Sequence, residues 1–130
     1  MGTYLIDTNV IIDLFEGRLP QNAAIWVDNL VISGNATVSV INKIELLGFN
    51  SSPETYQNLV NLINMGTLLS LTDAIVDETI ALKKIKRIKL PDAIIAATAL
   101  VHNLKIVSHN TGDFKNITGL TCLDPYLDIE

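Results

Sequence analysis

At 130 residues the chain accommodates one domain, 1–130, because two hydrophobic cores of half that length would each be marginal. Hydrophobic residues make up 48% and charged residues 18%, which supplies a buried core and leaves apolar surface for a partner to cover. The single cysteine, Cys122, excludes an internal disulfide and a Cys-rich zinc cluster and fits a reducing cytoplasm, while the net charge of -5 weighs against a uniformly basic, phosphate-binding surface.

Tyr4-Leu5-Ile6 reads as a short strand that stops at Asp7-Thr8-Asn9, three helix-capping residue types, after which Val10, Ile11, Leu14 and Phe15 recur at helical spacing. A helix over about 23–31 ends near Ser33-Gly34-Asn35, and the β-branched run 36–40 follows as a buried strand. Residues 41–49 form the next helix. Ser51-Ser52-Pro53-Glu54 caps another, which carries Tyr56, Leu59, Val60 and Ile63 on one side until Gly66 stops it. A third strand at 67–71 leads through Thr72-Asp73 into a helix from 74 to about 88, and Pro91 starts a helix lasting to about 103. A fourth strand at 105–108, a loop at 109–114 and a fifth strand at 120–123 complete the chain. Strands separated by helices imply parallel pairing with helices on both faces, so the expected fold class is α/β: three α/β/α layers around a mostly parallel sheet of about five strands. The opening residues lack the basic segment of a signal peptide, and the least polar stretch, 93–101, is too short to cross a bilayer, so no membrane association is expected.

In an open parallel sheet, ligands bind beyond the carboxyl ends of the strands, so acids just after strands or at the starts of the following helices are the candidates. Asp7 closes the first strand; alone, it suits a helix N-cap better than a ligand site. Glu45 shares a helical face with Ile41 and Gly48, which leans it toward apolar packing, where it needs a partner, or leaves it at the boundary with its carboxylate in water. The segment 90–101 is apolar almost all round and is expected to be buried, yet Asp92 enters its first turn on the face of Ile95, Ala96 and Ala99. An acid there complements the helix dipole, and the small alanine face also lets a backbone or ligand approach. Asn110 and Asp113 follow the fourth strand in a stretch that equally reads as a turn.

Carboxylates converging without His or Cys suit a hard cation, Mg²⁺ or Mn²⁺, that keeps water for exchange with substrate. Zinc fits poorly, because His102 and His109 have no paired spacing and are expected at the surface. No nucleophile elbow of the G-x-S-x-G kind is present. Of the nine basic residues, Lys83, Lys84, Lys86, Arg87 and Lys89 fall together, either as a nucleic-acid-binding patch or as the solvated end of a helix.

Four segments, Leu5-Ile6-Asp7-Thr8-Asn9-Val10, Glu45-Leu46-Leu47, the Leu90 to Ala99 helix and Ser108-His109-Asn110-Thr111-Gly112-Asp113-Phe114, resemble in order the four motifs of PIN domains. They span nearly the whole chain, whose size resembles the single-domain VapC-type toxins of type II toxin–antitoxin pairs. The resemblance implies a metal-dependent endoribonuclease in which Asp7, Glu45, Asp92 and Asp113 bind Mg²⁺ or Mn²⁺, with Thr8, Asn9 and Asn110 beside the metal or the RNA. It also implies homodimerisation and neutralisation by a small antitoxin protein. Asn110 departs from the acid that many members carry there, which weakens the case for a second metal. A phosphatase of the haloacid-dehalogenase kind needs an acid where this chain has Asn9, and a response-regulator receiver needs an acidic pair and a late lysine that are lacking. The non-enzymatic alternative is a binding module whose acids only cap helices.

Overall fold

A computed structural model describes residues 3–129. Five strands, β1 (Tyr4–Ile6), β2 (Ala36–Ser39), β3 (Thr67–Leu69), β4 (Lys105–Val107) and β5 (Cys122–Leu123), form one sheet in the order β3-β2-β1-β4-β5. Every pairing is parallel, with Leu5 opposite Thr37 on one side and Ile106 on the other. The connections carry seven helices: α1 (Thr8–Phe15), α2 (Gln21–Ile32), α3 (Val40–Gly48), α4 (Pro53–Met65), α5 (Asp73–Ile85), α6 (Leu90–His102) and the short α7 (Thr111–Phe114).

The period-two alternation of a strand sends neighbouring side chains to opposite faces, and two cores result. Ile6, Val38 and Val107 pack against Val10 and Ile11 of α1, Val27 of α2, Leu46 of α3 and Leu59 of α4. Leu5 and Ile106 pack on the other face against Ile75 and Leu82 of α5, the alanines of α6, and Phe114. The apolar α6 is buried along Ala93, Ile95, Ala96, Ala97 and Ala99, as its sequence implies, and ends on Asn103 in the left-handed region at φ 56°. The expected α/β/α layering holds, and the sheet is wholly parallel.

Differences from the expected elements are local. The 67–71 strand stops at Leu69, because Thr72 accepts from the Ile75 N–H and caps α5. Helix α5 ends at Ile85, three residues before the expected end, so Lys86 to Lys89 form an extended connection and the basic cluster is split between helix and loop. The loop after β4 contains the single-turn α7. Among the described residues no helix is long and apolar enough to cross a membrane.

The chain builds outward from β1 through β2 to β3, then returns to place β4 on the other side of β1. The strand order therefore reverses between β1 and β4, the position at which a crevice opens beyond the carboxyl ends of a parallel sheet.

Candidate active site

Asp7 follows β1 directly, and its N–H bonds to the Val107 carbonyl at 2.9 Å, which extends the β1–β4 ladder one residue past the strand. The residue is only 5% exposed. Its Oδ1 accepts from the Thr8 N–H at 2.9 Å, so it does cap α1. Its Oδ2 accepts from Ser108 Oγ at 2.8 Å, and Asn9 Nδ2 and Asn42 Nδ2 approach the two oxygens at a looser 3.4 Å. Burial pushes this carboxyl above its ordinary range and repulsion from Glu45 adds to it, against the hydrogen bonds from Ser108, Thr8 and Asn42.

Glu45 takes the second of its two expected placements. It is exposed, because Asn42 and Leu46 fill the inward face of α3 and turn it outward. Thr8 Oγ1 donates to Glu45 Oε1 at 2.7 Å, which ties it to the residue after Asp7. Asp92, half-buried in the first turn of α6, has its carboxyl pushed up to about 6 by burial first, then by a hydrogen bond and repulsion from Asp113 and by repulsion from Asp7 and Glu45. Asp113, on α7, accepts from Asn110 Nδ2. Asn110 thus holds an acid in place of being one, and its own N–H donates to Ser108 Oγ at 2.9 Å.

The structure therefore brings Asp92 within electrostatic reach of Asp113, Asp7 and Glu45, and Asp7 within reach of Glu45, while Thr8 bonds to Glu45, Asn9 to Asp7 and Asn110 to Asp113. No cation answers them: the ion pairs among the described residues join Arg18 to Asp13 and Glu16, and His109 to Asp124. An all-oxygen donor set with uncompensated charge fits a hard divalent cation. Among the described residues no group of three or more His, Cys, Asp or Glu side chains stands close enough to hold a metal ion, so the acids share a charged edge and not a formed ligand set. Burial pushes the Cys122 thiol up to about 11, which leaves it protonated and unreactive at neutral pH.

Three further polar residues of this edge are not among the expected site residues. Ser108 and Asn42 are fully buried. Asn42 Oδ1 accepts from Ser39 N–H and Oγ at 3.2 and 2.9 Å, and its Nδ2 donates to Thr8 Oγ1 at 3.0 Å. The Ser39-x-x-Asn42 spacing of a capping box was the available signal. Asp124 follows β5 as Asp7 follows β1, directly after the expected end of the fifth strand at 123, so the rule of acids after strands already reaches it.

The basic cluster is partly engaged with backbone carbonyls. Lys83 Nζ donates to the Ile88 carbonyl at 2.7 Å and Lys86 Nζ to the Lys115 carbonyl at 2.9 Å, so two of the five cations satisfy backbone oxygens. Lys84, Arg87 and Lys89 are exposed, and Lys89 stands immediately before α6 and its Asp92.

The PIN domain family matches residues 4–120. Among solved structures, the chain is similar to a toxin–antitoxin complex from Klebsiella pneumoniae at 29% identity and a TM-score of 0.75, covering 95% of this chain and 98% of that one. It is similar to VapBC-1 from nontypeable Haemophilus influenzae at 28% identity and a TM-score of 0.73, covering 94% and 97%. A DNA-bound VapBC from Salmonella typhimurium, at 21% identity and a TM-score of 0.75 over 96% and 99%, shares the fold. No curated protein matches the chain. The motif order, the all-parallel sheet, the acids at its switch point and the match over residues 4–120 agree: the chain belongs to the PIN domain family.

Proposed function

We propose that the chain is a Mg²⁺- or Mn²⁺-dependent endoribonuclease and the toxin of a type II toxin–antitoxin pair, acting as one domain in the cytoplasm. One observation supports this reading: Asp92, in the first turn of α6, lies within electrostatic reach of Asp113, Asp7 and Glu45, and the ion pairs among the described residues leave all four without a cation. Asp7, Glu45, Asp92 and Asp113 would hold the ion, which when bound polarises a phosphodiester and helps ionise a water.

The chain's own groups prepare this set. Ser108, Thr8 and Asn42 fix the buried Asp7, Thr8 fixes Glu45, and Asn110 fixes Asp113. Asp92 keeps a proton up to a pH of about 6, so it must lose that proton before it can ligate. Lys84, Arg87 and Lys89 supply cations for RNA phosphates, with Lys83 and Lys86 adding to the local field.

The likeness to toxin–antitoxin complexes from Klebsiella and Haemophilus supports the toxin role and a small antitoxin partner. Binding of an antitoxin and formation of a homodimer both require exposed apolar surface. Among the described residues such surface lies around Ile32 and Met65 on α2 and α4, and around Leu71, Val76, Ile80 and Leu90 beside α5 and α6.

The test is incubation of purified protein with RNA in Mg²⁺, Mn²⁺ or EDTA, beside an Asp92→Asn variant. Cleavage that needs metal and Asp92 is expected; RNA left intact with both metals would sink the proposal. A second reading, a binding module whose acids only cap helices, draws on the Asp7 cap of α1. It predicts the same melting temperature in EDTA and Mn²⁺, whereas an ion bound to the folded state raises it.

A further inference from the structure

His109 and Asp124 form a dyad beside the carboxylates that the nuclease chemistry above does not use. Asp124 is 3% exposed and its oxygens are committed. Oδ1 accepts from the Tyr126 N–H at 2.9 Å, and Oδ1 and Oδ2 face His109 Nδ1 at 3.2 and 3.1 Å. Its own N–H donates to Asp128 Oδ2 at 2.8 Å. The Tyr126 ring packs on the imidazole with centroids 4.5 Å apart, and the Tyr126 hydroxyl donates to Asp13. One edge and one face of the imidazole are thus fixed, yet the side chain is 57% exposed.

The backbone is fixed toward the carboxylates as well. His109 N–H donates to Asn9 Oδ1 at 3.3 Å, and Asn9 Nδ2 in turn reaches Asp7 Oδ2 and Ser108 Oγ, each at 3.4 Å. A side chain anchored this firmly is oriented at an entropic cost, and the atom it presents is Nε2, which has no partner among the described residues. Because an ionised carboxylate only accepts, Nδ1 carries the hydrogen, and in the neutral ring Nε2 is then a lone-pair acceptor. An acceptor takes a hydroxyl or amino donor. Along a nucleic-acid backbone the only such donor is the ribose 2′-hydroxyl, since phosphate and deoxyribose offer none.

We propose that His109 contacts the substrate by accepting a hydrogen bond at Nε2 from a ribose 2′-hydroxyl of the strand held at the carboxylates, with Asp124 and Tyr126 as positioning residues. The inference rests on the ribonuclease reading of this site and adds to it a means of telling RNA from DNA.

The experiment follows cleavage of one RNA oligonucleotide and a series in which a single 2′-deoxy nucleotide is moved through the positions flanking the cut. Wild type is expected to lose about 3- to 10-fold in kcat/KM at one position, the size of one neutral hydrogen bond. His109→Ala is expected to raise KM on the all-ribose strand by a similar factor, with kcat little changed, and to erase that positional sensitivity. His109→Gln, whose amide reaches the place of Nε2, restores part of it, and Asp124→Asn gives an intermediate profile. A dyad that only ties two loops together lowers the melting temperature and leaves the deoxy profile as in wild type. That profile in folded His109→Ala, or in His109→Leu, which likewise carries no acceptor, if the alanine variant does not fold, overturns the inference while the ribonuclease reading stands. Wild type that cuts no RNA overturns both.

Discussion

The acid-rich edge and the basic segment are the two most charged regions of the molecule, and they are built in opposite ways. At the edge, Asp7, Ser108 and Asn42 are buried and joined by hydrogen bonds drawn from β1, β4, α1 and α3, while the charges themselves are left without counterions. In the segment from Lys83 to Lys89 the cations face water, and the two that are held bond to backbone carbonyls. Burying polar groups and like charges together costs stability, and a fold retains such a cost where the charges are used. A solvated row of lysines costs little, so its presence says less. The edge is therefore the place where single changes should be decisive, and the basic segment the place where they should be graded.

The largest effect is expected at the edge. Asp92→Asn or Asp7→Asn should lower metal-dependent RNA cleavage on the order of 100-fold or more, measured as kcat/KM with the fold checked by circular dichroism, because each removes a charged oxygen from the ion's donor set. If either variant kept wild-type activity, the edge would lose its special standing.

The second effect is on stability. Ser108→Ala and Asn42→Ala should each destabilise the protein by about 1–3 kcal/mol in thermal or denaturant melts, because each leaves the buried Asp7 short of a donor. Two neutral variants would mean that water replaces these donors and that the network is not a rigid support.

The third sharpens the comparison through pH. Asp92 titrates at about 6 in the folded protein against an ordinary 3.8, so the folded state binds its proton more tightly than the unfolded chain does. The associated stability is present below the unfolded value and is lost as pH rises through about 6. Metal-free Asp92→Asn should accordingly melt above wild type at pH 8, and the gap should close by pH 4. Adding Mn²⁺ should raise wild type and leave the variant behind. A gap that is the same at both pH values would show that burial and the neighbouring acids do not raise the Asp92 carboxyl in the folded protein.

The smallest effect belongs to the basic segment. Lys84→Glu or Arg87→Glu should weaken RNA binding by a few-fold at low salt and lower the slope of log affinity against log salt by about 0.7 for each phosphate that is no longer neutralised. Fluorescence anisotropy across a salt series reads both, and unchanged binding would remove this segment from the RNA path.

The sequence by itself determined the layer architecture, the positions of the strands and long helices to within a few residues, and the two most informative acids. Asp7 after a three-residue apolar run and Asp92 in the first turn of an alanine-rich helix are legible because hydrophobic period and capping chemistry are local, set by neighbours three or four residues away. Only the tertiary structure decided the rest. Glu45 faces water because Asn42 and Leu46 take the inward face, Ser108 and Asn42 are buried because they meet Asp7 across the ends of three strands, and His109, expected to be a plain surface residue, is clamped by Asp124 across the β4–β5 pair. These interactions join residues far apart in the chain, and whether a polar side chain ends in water or in a network depends on what other segments bring to it, which no local pattern encodes.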